Sequence, residues 1–456
     1  MTPTDGRRLR RIPNWLIATG AGVVALALLV GIVIMSTGQG RPRGRAVAVP
    51  PPQSAPVVEP PPDVSAWPRW GVTHTEFSGD AEREEVVETA SHLLARVPLV
   101  QNQHIMGWGA DNPEPVRGKY DFRNLDRRVR FMARSQALPV ITLCCAPDWM
   151  KGGADGHTDW NALEAPPNRE NFDDFAKLAA TVARRYPTVE HFMVWNEFKG
   201  FWNSATNRWD AEAYTELYNK VYTALKKVNG NIKVGGPYIP IVSDKNGRAS
   251  ELQGAWGVVD QRDLDAVEYW MRNKKGADFI VVDGASMTRD AGAYPDDFAA
   301  LAKFGAVTTW LKQKSGGLPV WWAEWYVAPD NADWTEERRT AVQTVAMMEF
   351  ATSGATTALY WNPQRKPGED CPGCLWRPGT GEELPMAGVL SGFTKWFPEG
   401  VPLVPLTSDN PAVRVLAQER QLVMVNTTDA AVTTTIDGRQ FDLRPYEVRW
   451  SGRGGA

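Results

Sequence analysis

Two acidic residues stand out for what surrounds them. Glu197 closes the stretch Phe-Met-Val-Trp-Asn-Glu at 192–197, and Glu324 lies in Val-Trp-Trp-Ala-Glu-Trp-Tyr-Val at 320–327. Each follows an apolar run and has aromatic neighbours. A structural carboxylate in such a place would have a cation close by, and Lys199 is the one basic residue of 192–202. The other reading is that these groups handle protons, because burial among aromatics perturbs a carboxyl pKa. A pair in which one member keeps its proton while the other stays ionised can split a glycosidic bond. The first protonates the leaving oxygen and the second attacks the anomeric carbon. The 20 tryptophans suit a sugar partner, since flat aromatic faces pack on the C–H faces of sugar rings, although part of them belongs to a core.

Such a pair works only if the fold brings both residues to one pocket. Over residues 66–399, strand patterns such as Leu-Pro-Val-Ile-Thr-Leu-Cys-Cys alternate with amphipathic helix patterns such as Phe-Arg-Asn-Leu-Asp-Arg-Arg-Val-Arg-Phe-Met. The alternation repeats eight times and predicts an α/β fold, a (β/α)8 TIM barrel. A doubly wound sheet is the alternative, but no Gly-rich phosphate turn follows an early strand. Active-site groups of a TIM barrel sit at the C-terminal ends of its strands. Glu197 ends the fourth strand and Glu324 the seventh. Trp195 and Trp322, two residues earlier, are expected to share the inward face and fill the layer below. His74 ends the first strand and is expected to touch the ligand. Trp149, Trp202 and Trp325 are each either sugar platforms or packing residues.

Around these positions the chain resembles the retaining (β/α)8 glycoside hydrolases of clan A. The resemblance rests on Asn196-Glu197, on Glu324, and on 118–150, with its Tyr-Asp-Phe turn, Leu-Asp helix start and third strand ending in Pro and Trp. It covers about 67–398. The nearest family is thirty-nine, the β-xylosidases and iduronidases with their exopolysaccharide-cleaving relatives. The resemblance implies Glu197 as acid/base and Glu324 as nucleophile. It also implies Asn196 as partner of the sugar 2-hydroxyl and Trp361 as floor of the −1 site. Tyr238, at the end of the fifth strand, joins the expected substrate-binding residues. Two positions depart from the clan. Gln103 stands on the second strand where an Arg is common, and Asp283 ends the sixth, where it would either raise a neighbouring pKa or bind a sugar hydroxyl.

The remaining sequence sets the context. Residues 1–13 form a basic tail. An uncharged apolar run within 14–36 has the length of a membrane span, and 37–65 is a Pro-rich spacer. These predict a retained anchor with the barrel outside the cell. Residues 400–456 alternate as short strands and predict a small β-sandwich-like module, with four strands read from the pattern. Cys371 and Cys374, in a Gly/Pro-rich loop, are expected to form a structural disulfide. A redox pair would want a strand-to-helix context, and zinc would need further ligands nearby. A net charge of −3 argues against nucleic acid. No metal or organic cofactor is implied. The expected function is retaining hydrolysis of a cell-surface or extracellular oligo- or polysaccharide. A transglycosylase and a non-catalytic glycan-binding barrel are the alternatives.

Overall fold

Eight parallel strands close into a barrel, each followed by a helix, in a computed structural model that describes residues 66–327, 333–361 and 363–453. The strands are β1 (Trp70–Thr73), β2 (Val100–His104), β3 (Leu138–Leu143), β4 (His191–Val194), β5 (Lys233–Pro240), β6 (Phe279–Ala285), β7 (Val320–Tyr326) and β8 (Thr357–Trp361). Each pairs with its neighbour in sequence, and β8 returns to β1. The surrounding helices are α1 (Glu84–Leu94), α2 (Arg123–Arg134), α3 (Phe172–Arg185), α4 (Ala211–Val228), α5 (Gln261–Asn273), α6 (Ala302–Lys314), α7 (Glu336–Ser353) and α8 (Pro385–Trp396). Their apolar faces follow the sequence period: α2 buries Leu125, Val129 and Met132. Side-chain caps start several of them, with Asp210 accepting from Ala213 N at α4 and Thr335 from Arg338 N at α7. The run at 15–35 and the Pro-rich spacer lie outside the described residues. Among the described residues, no helix is long and apolar enough to cross a membrane.

Inside the barrel the layers differ in chemistry. Trp67, His191, Phe279 and Trp321 plug the end where the strands begin, with Phe279 stacked on Trp321 at 4.1 Å and His191 at 5.3 Å. Higher up is a buried polar layer. Thr142 Oγ1 donates to Asn102 Oδ1 at 2.9 Å, Asn102 Nδ2 to Thr73 Oγ1 at 3.1 Å, and Thr73 Oγ1 to the Ala323 carbonyl at 2.5 Å. The chain of bonds satisfies these groups and ties four strands together beneath the mouth.

Two strands carry an extra residue near that mouth. On β5, Pro237 faces Val281 while Ile239 faces Val282, so Tyr238 is the inserted residue, at φ 52°. On β7, Trp322 faces Val282 and Glu324 faces Asp283, so Ala323 is inserted. A bulge of this kind re-aims the side chains beyond it. It corrects the expectation for Trp322, which points out to the helices, donating from Nε1 to Thr308 Oγ1 on α6 at 3.0 Å. Trp195 also faces outward, edge-on to Phe175 of α3 at 5.6 Å. Its φ of 67° breaks the alternation before Glu197.

The C-terminal module has two small sheets. β9 (Val413–Ala417), β10 (Gln421–Asn426) and β13 (Val448–Gly452) form one, and β11 (Val432–Ile436) with β12 (Arg439–Leu443) the other. Leu422, Met424, Ile436, Phe441 and Leu443 contribute to the core between them. The strand at 439–443 adds a fifth to the four expected. Asp437 and Gly438 both have positive φ in a two-residue turn, the pairing that closes tight hairpins. Trp450 of the module packs on Phe393 and Phe397, at 5.5 and 6.2 Å. A Cβ on Gly392 would come within 2.5 Å of its ring, so glycine is required there for contact with α8. Cys371 and Cys374 are joined, as expected, and Cys144 is joined to its neighbour Cys145.

Candidate active site

The mouth of the barrel brings three carboxyl groups together. Oxygens of Glu197, Asp283 and Glu324 lie within 4.8 Å of one another, and all three residues are at most 5% exposed. Glu197 follows β4 in a segment where Trp195, Glu197 and Phe198 all have positive φ. Non-glycine residues in that region cost about 1–3 kcal/mol each and persist where the surroundings over-determine them. Here Phe198 stacks on Tyr214 at 4.1 Å, and Trp195 Nε1 donates to the Lys199 carbonyl at 2.9 Å, which holds the turn. The bulges of β5 and β7 aim Tyr238 and Glu324 at each other, and the Tyr238 hydroxyl donates to Glu324 Oε1 at 2.6 Å.

Lys199 proves to be the partner of Glu197. Its ammonium lies 2.6 Å from Glu197 Oε2 and 2.5 Å from Glu164 Oε1. Burial pushes the Glu197 carboxyl up, but Lys199 and a hydrogen bond with Asp283 together outweigh it, so Glu197 falls below its usual range. Burial and repulsion by Glu197 push Glu324 up to about 8. The same two causes hold Asp283 well above the ordinary carboxylate range. In the free protein the protons therefore sit on Asp283 and Glu324, the reverse of the order that an acid at 197 and a nucleophile at 324 need during reaction. A cation could in principle bridge such a cluster, but Lys199 already supplies one to Glu197, leaving Asp283 and Glu324 as the available oxygen donors.

The structure sorts the expected binding residues. Asn196 is brought to the site, with Oδ1 3.4 Å from His104 Nε2 and its amide nitrogen buried without a partner. Tyr238 and Asp283 are brought there too. Trp361 ends β8 half-buried, beside Thr73 in register. Gln103 is not in the pocket: on β2, Asn102 and His104 face inward, so Gln103 faces out and donates to the carbonyls of His104 and Trp108 at 2.9 and 3.1 Å. His74 is a satisfied structural histidine, with its two ring nitrogens 3.0 Å from Ser78 Oγ and Gln101 Oε1. Trp149 packs, its ring under the Arg117 guanidinium at 4.2 Å and its Nε1 bonded to the Glu114 carbonyl at 2.9 Å. Trp325 is buried against Phe304, Phe350 and Tyr360 on the helix side. Trp202 lies on a hairpin, edge-on to Trp209 at 5.0 Å with Arg262 over its ring at 4.8 Å.

Sequence reasoning missed His104, which strict alternation from Asn102 would have found. Its ring stacks on Trp108 at 4.1 Å, and burial lowers its pKa to about 3, keeping it neutral. It also missed Glu164, which lies in a loop with no pattern to mark it.

Comparison with known proteins agrees with this architecture. The model for glycosyl hydrolases family 39 matches residues 105–244, which include Asn196 and Glu197. The beta-xylosidase of Caldicellulosiruptor saccharolyticus is 26% identical over 238 residues, 47% of this chain and 42% of that protein. The chain thus spans less than half the length of the curated relative it matches. Among solved structures, a monomeric beta-xylosidase from Caulobacter crescentus CB15 superimposes with TM-score 0.54 at 16% identity, covering 81% of this chain and 75% of that one. A conserved exported protein from Bacteroides fragilis gives 0.57 at 12%, covering 86% and 99%. At those identities the structural likeness establishes the fold. The matched segment, which includes Asn196 and Glu197, is similar to the glycosyl hydrolases of family 39.

Proposed function

We propose that the protein is a retaining glycosidase that cleaves an extracellular or cell-surface polysaccharide by double displacement. The observation that carries this is the pair Glu197 and Glu324, buried at the ends of β4 and β7 with oxygens within 4.8 Å. Retaining enzymes need carboxyl groups about 5–5.5 Å apart, while inverting ones leave about 6.5–9.5 Å for a water. Glu324 attacks the anomeric carbon while the leaving oxygen takes a proton through Glu197. Water then displaces Glu324, returning its proton through Glu197. The Tyr238 hydroxyl fixes the attacking carboxylate, and the free amide of Asn196 is placed to donate to a sugar hydroxyl. Trp361 is the platform this reading puts beneath the sugar.

The test is a panel of aryl glycosides, beginning with β-xylosides, and of polysaccharides, with the anomer of the first product read by NMR. Retained configuration is expected. No cleavage anywhere in the panel, or an inverted first product, would sink the proposal, and elongated products would redirect it to a transglycosylase.

The charge-flanked run at 15–35 supports a membrane-anchored enzyme whose barrel faces outward. The full-length protein should sediment with membranes, and a chain beginning near 62 should remain soluble and active. Recovery of the full-length chain in the soluble fraction would remove the anchor.

A further inference from the structure

Asp283 has no task in the double displacement, and its surroundings require one. It is fully buried, and neither carboxyl oxygen receives a hydrogen bond from an N–H or O–H group. The titratable and charged groups facing it are Glu197 and Lys199 from the turn after β4, Tyr238 from β5, Glu324 from β7 and Lys303 from α6. His104, on β2, acts on the same turn from beside Asn196. Both lysines are committed elsewhere. Lys199 holds Glu197 and Glu164, and Lys303 donates to the Ala285 carbonyl at 2.8 Å. The Tyr238 hydroxyl is given to Glu324. An ionised carboxylate without a partner is costly in such a place, whereas a protonated one can donate to a neighbouring carboxylate. Glu197 is that neighbour, within hydrogen-bonding reach.

We propose that Asp283 is the proton store of the site, donating a hydrogen bond to Glu197 and passing its proton through Glu197 to the departing oxygen. The proposal rests on the double-displacement reading above. The reactive form is the one in which Glu324 has lost its proton to solvent, Glu197 is ionised and Asp283 is protonated; in its first step the bond between Glu324 and the anomeric carbon forms and the glycosidic C–O bond breaks. The electron pair stays on the departing oxygen, which takes the proton that Asp283 hands on through the ionised Glu197, leaving Asp283 and Glu197 both ionised. In the second step water attacks the same carbon, the ester to Glu324 breaks, and the water proton returns through Glu197 to Asp283. Both carboxyl groups end as they began, and no further reactant is needed. The scheme explains how Glu197 acts as an acid although Lys199 keeps it ionised in the free protein. The raised pKa of Asp283, caused first by burial and then by Glu197, agrees with it. Asp283 acts through Glu197 and touches no sugar atom in this scheme, so it is a positioning residue.

Asp283→Asn keeps the shape and a donor toward Glu197 but cannot pass a proton. Two glycosides of the sugar that the parent cleaves fastest, one with a dinitrophenolate and one with an alkoxide leaving group, separate the possibilities. The loss of kcat/KM on the alkoxide substrate should exceed that on the other by on the order of a hundredfold. Adding Lys199→Met removes the cation that keeps Glu197 ionised and should return about tenfold or more of the alkoxide rate. An infrared titration at neutral pH should count one protonated carboxyl fewer in Asp283→Asn than in the parent. Equal losses on both substrates, no recovery in the double variant, or an unchanged infrared count each overturns the proposal. Failure of the parent on every glycoside would defeat the double-displacement reading itself, and the infrared count would then report separately on whether Asp283 holds a proton.

Discussion

Glu324→Gly should lower kcat/KM on any glycoside the parent cleaves by about a thousandfold or more, about 4 kcal/mol of barrier. The substitution removes the attacking oxygen and opens space beneath the Tyr238 hydroxyl, which donates to it at 2.6 Å. Azide entering that space should attack an activated glycoside from the vacated side and give the inverted glycosyl azide. The pH dependence of the parent follows from the same group. Burial and Glu197 set Glu324 at about 8, so below that pH the free protein carries a proton where an anion is required. The kcat/KM of the parent should therefore climb as the pH is raised toward about 8. A retained azide product, or an ordinary rate in Glu324→Gly, would remove this residue from the role of nucleophile.

The second large effect is expected at Glu197. Glu197→Ala removes the group through which the leaving oxygen receives its proton, so the loss should depend on the leaving group. A substrate departing as an alkoxide should slow by roughly a thousandfold, and one departing as a dinitrophenolate far less in its first step. The covalent intermediate should then accumulate, and azide should resolve it from the Glu197 side with retained configuration. Lys199 and Glu164 lose their common partner in this variant, so folding should be checked by thermal melting. If the two variants give azide products of swapped stereochemistry, Glu197 is the nucleophile and Glu324 the acid. The free-state proton order would then already match those roles. If both variants equal the parent, the pair is not catalytic and the barrel is a glycan-binding one.

The parts of this structure legible in the sequence are those governed by local pattern. Apolar runs bounded by polar turns located all eight barrel strands, because strands covered by helices show as short apolar stretches. The two glutamates were legible because each ends such a run, and strand ends converge in a closed barrel. Which side a residue faces was less legible. The resemblance points to Gln103 on β2, whereas the residue of that strand beside Asn196 is His104, one position on. Counting back by two from the glutamates puts Trp195 and Trp322 in the layer below the pocket, yet they pack on helices because left-handed residues and a bulge interrupt the alternation. Long-range partners were the least legible. Nothing local marks Glu164 as the second acceptor for Lys199, or Ser78 and Gln101 as the groups that satisfy His74.

The inserted residues at Tyr238 and Ala323 bear on how this barrel can vary. A strand has a reading frame of two, and each insertion is a frameshift placed one step before the mouth. Below the shift, the frame is dictated by the wall, where Trp322 must meet Phe304 and Phe350. Above it, a second frame decides what faces the pocket. The insertion on β7 thus lets Trp322 below it and Trp325 above it both meet the wall at Phe304 and Phe350 while Glu324 turns to the pocket, which an unbroken period of two could not do.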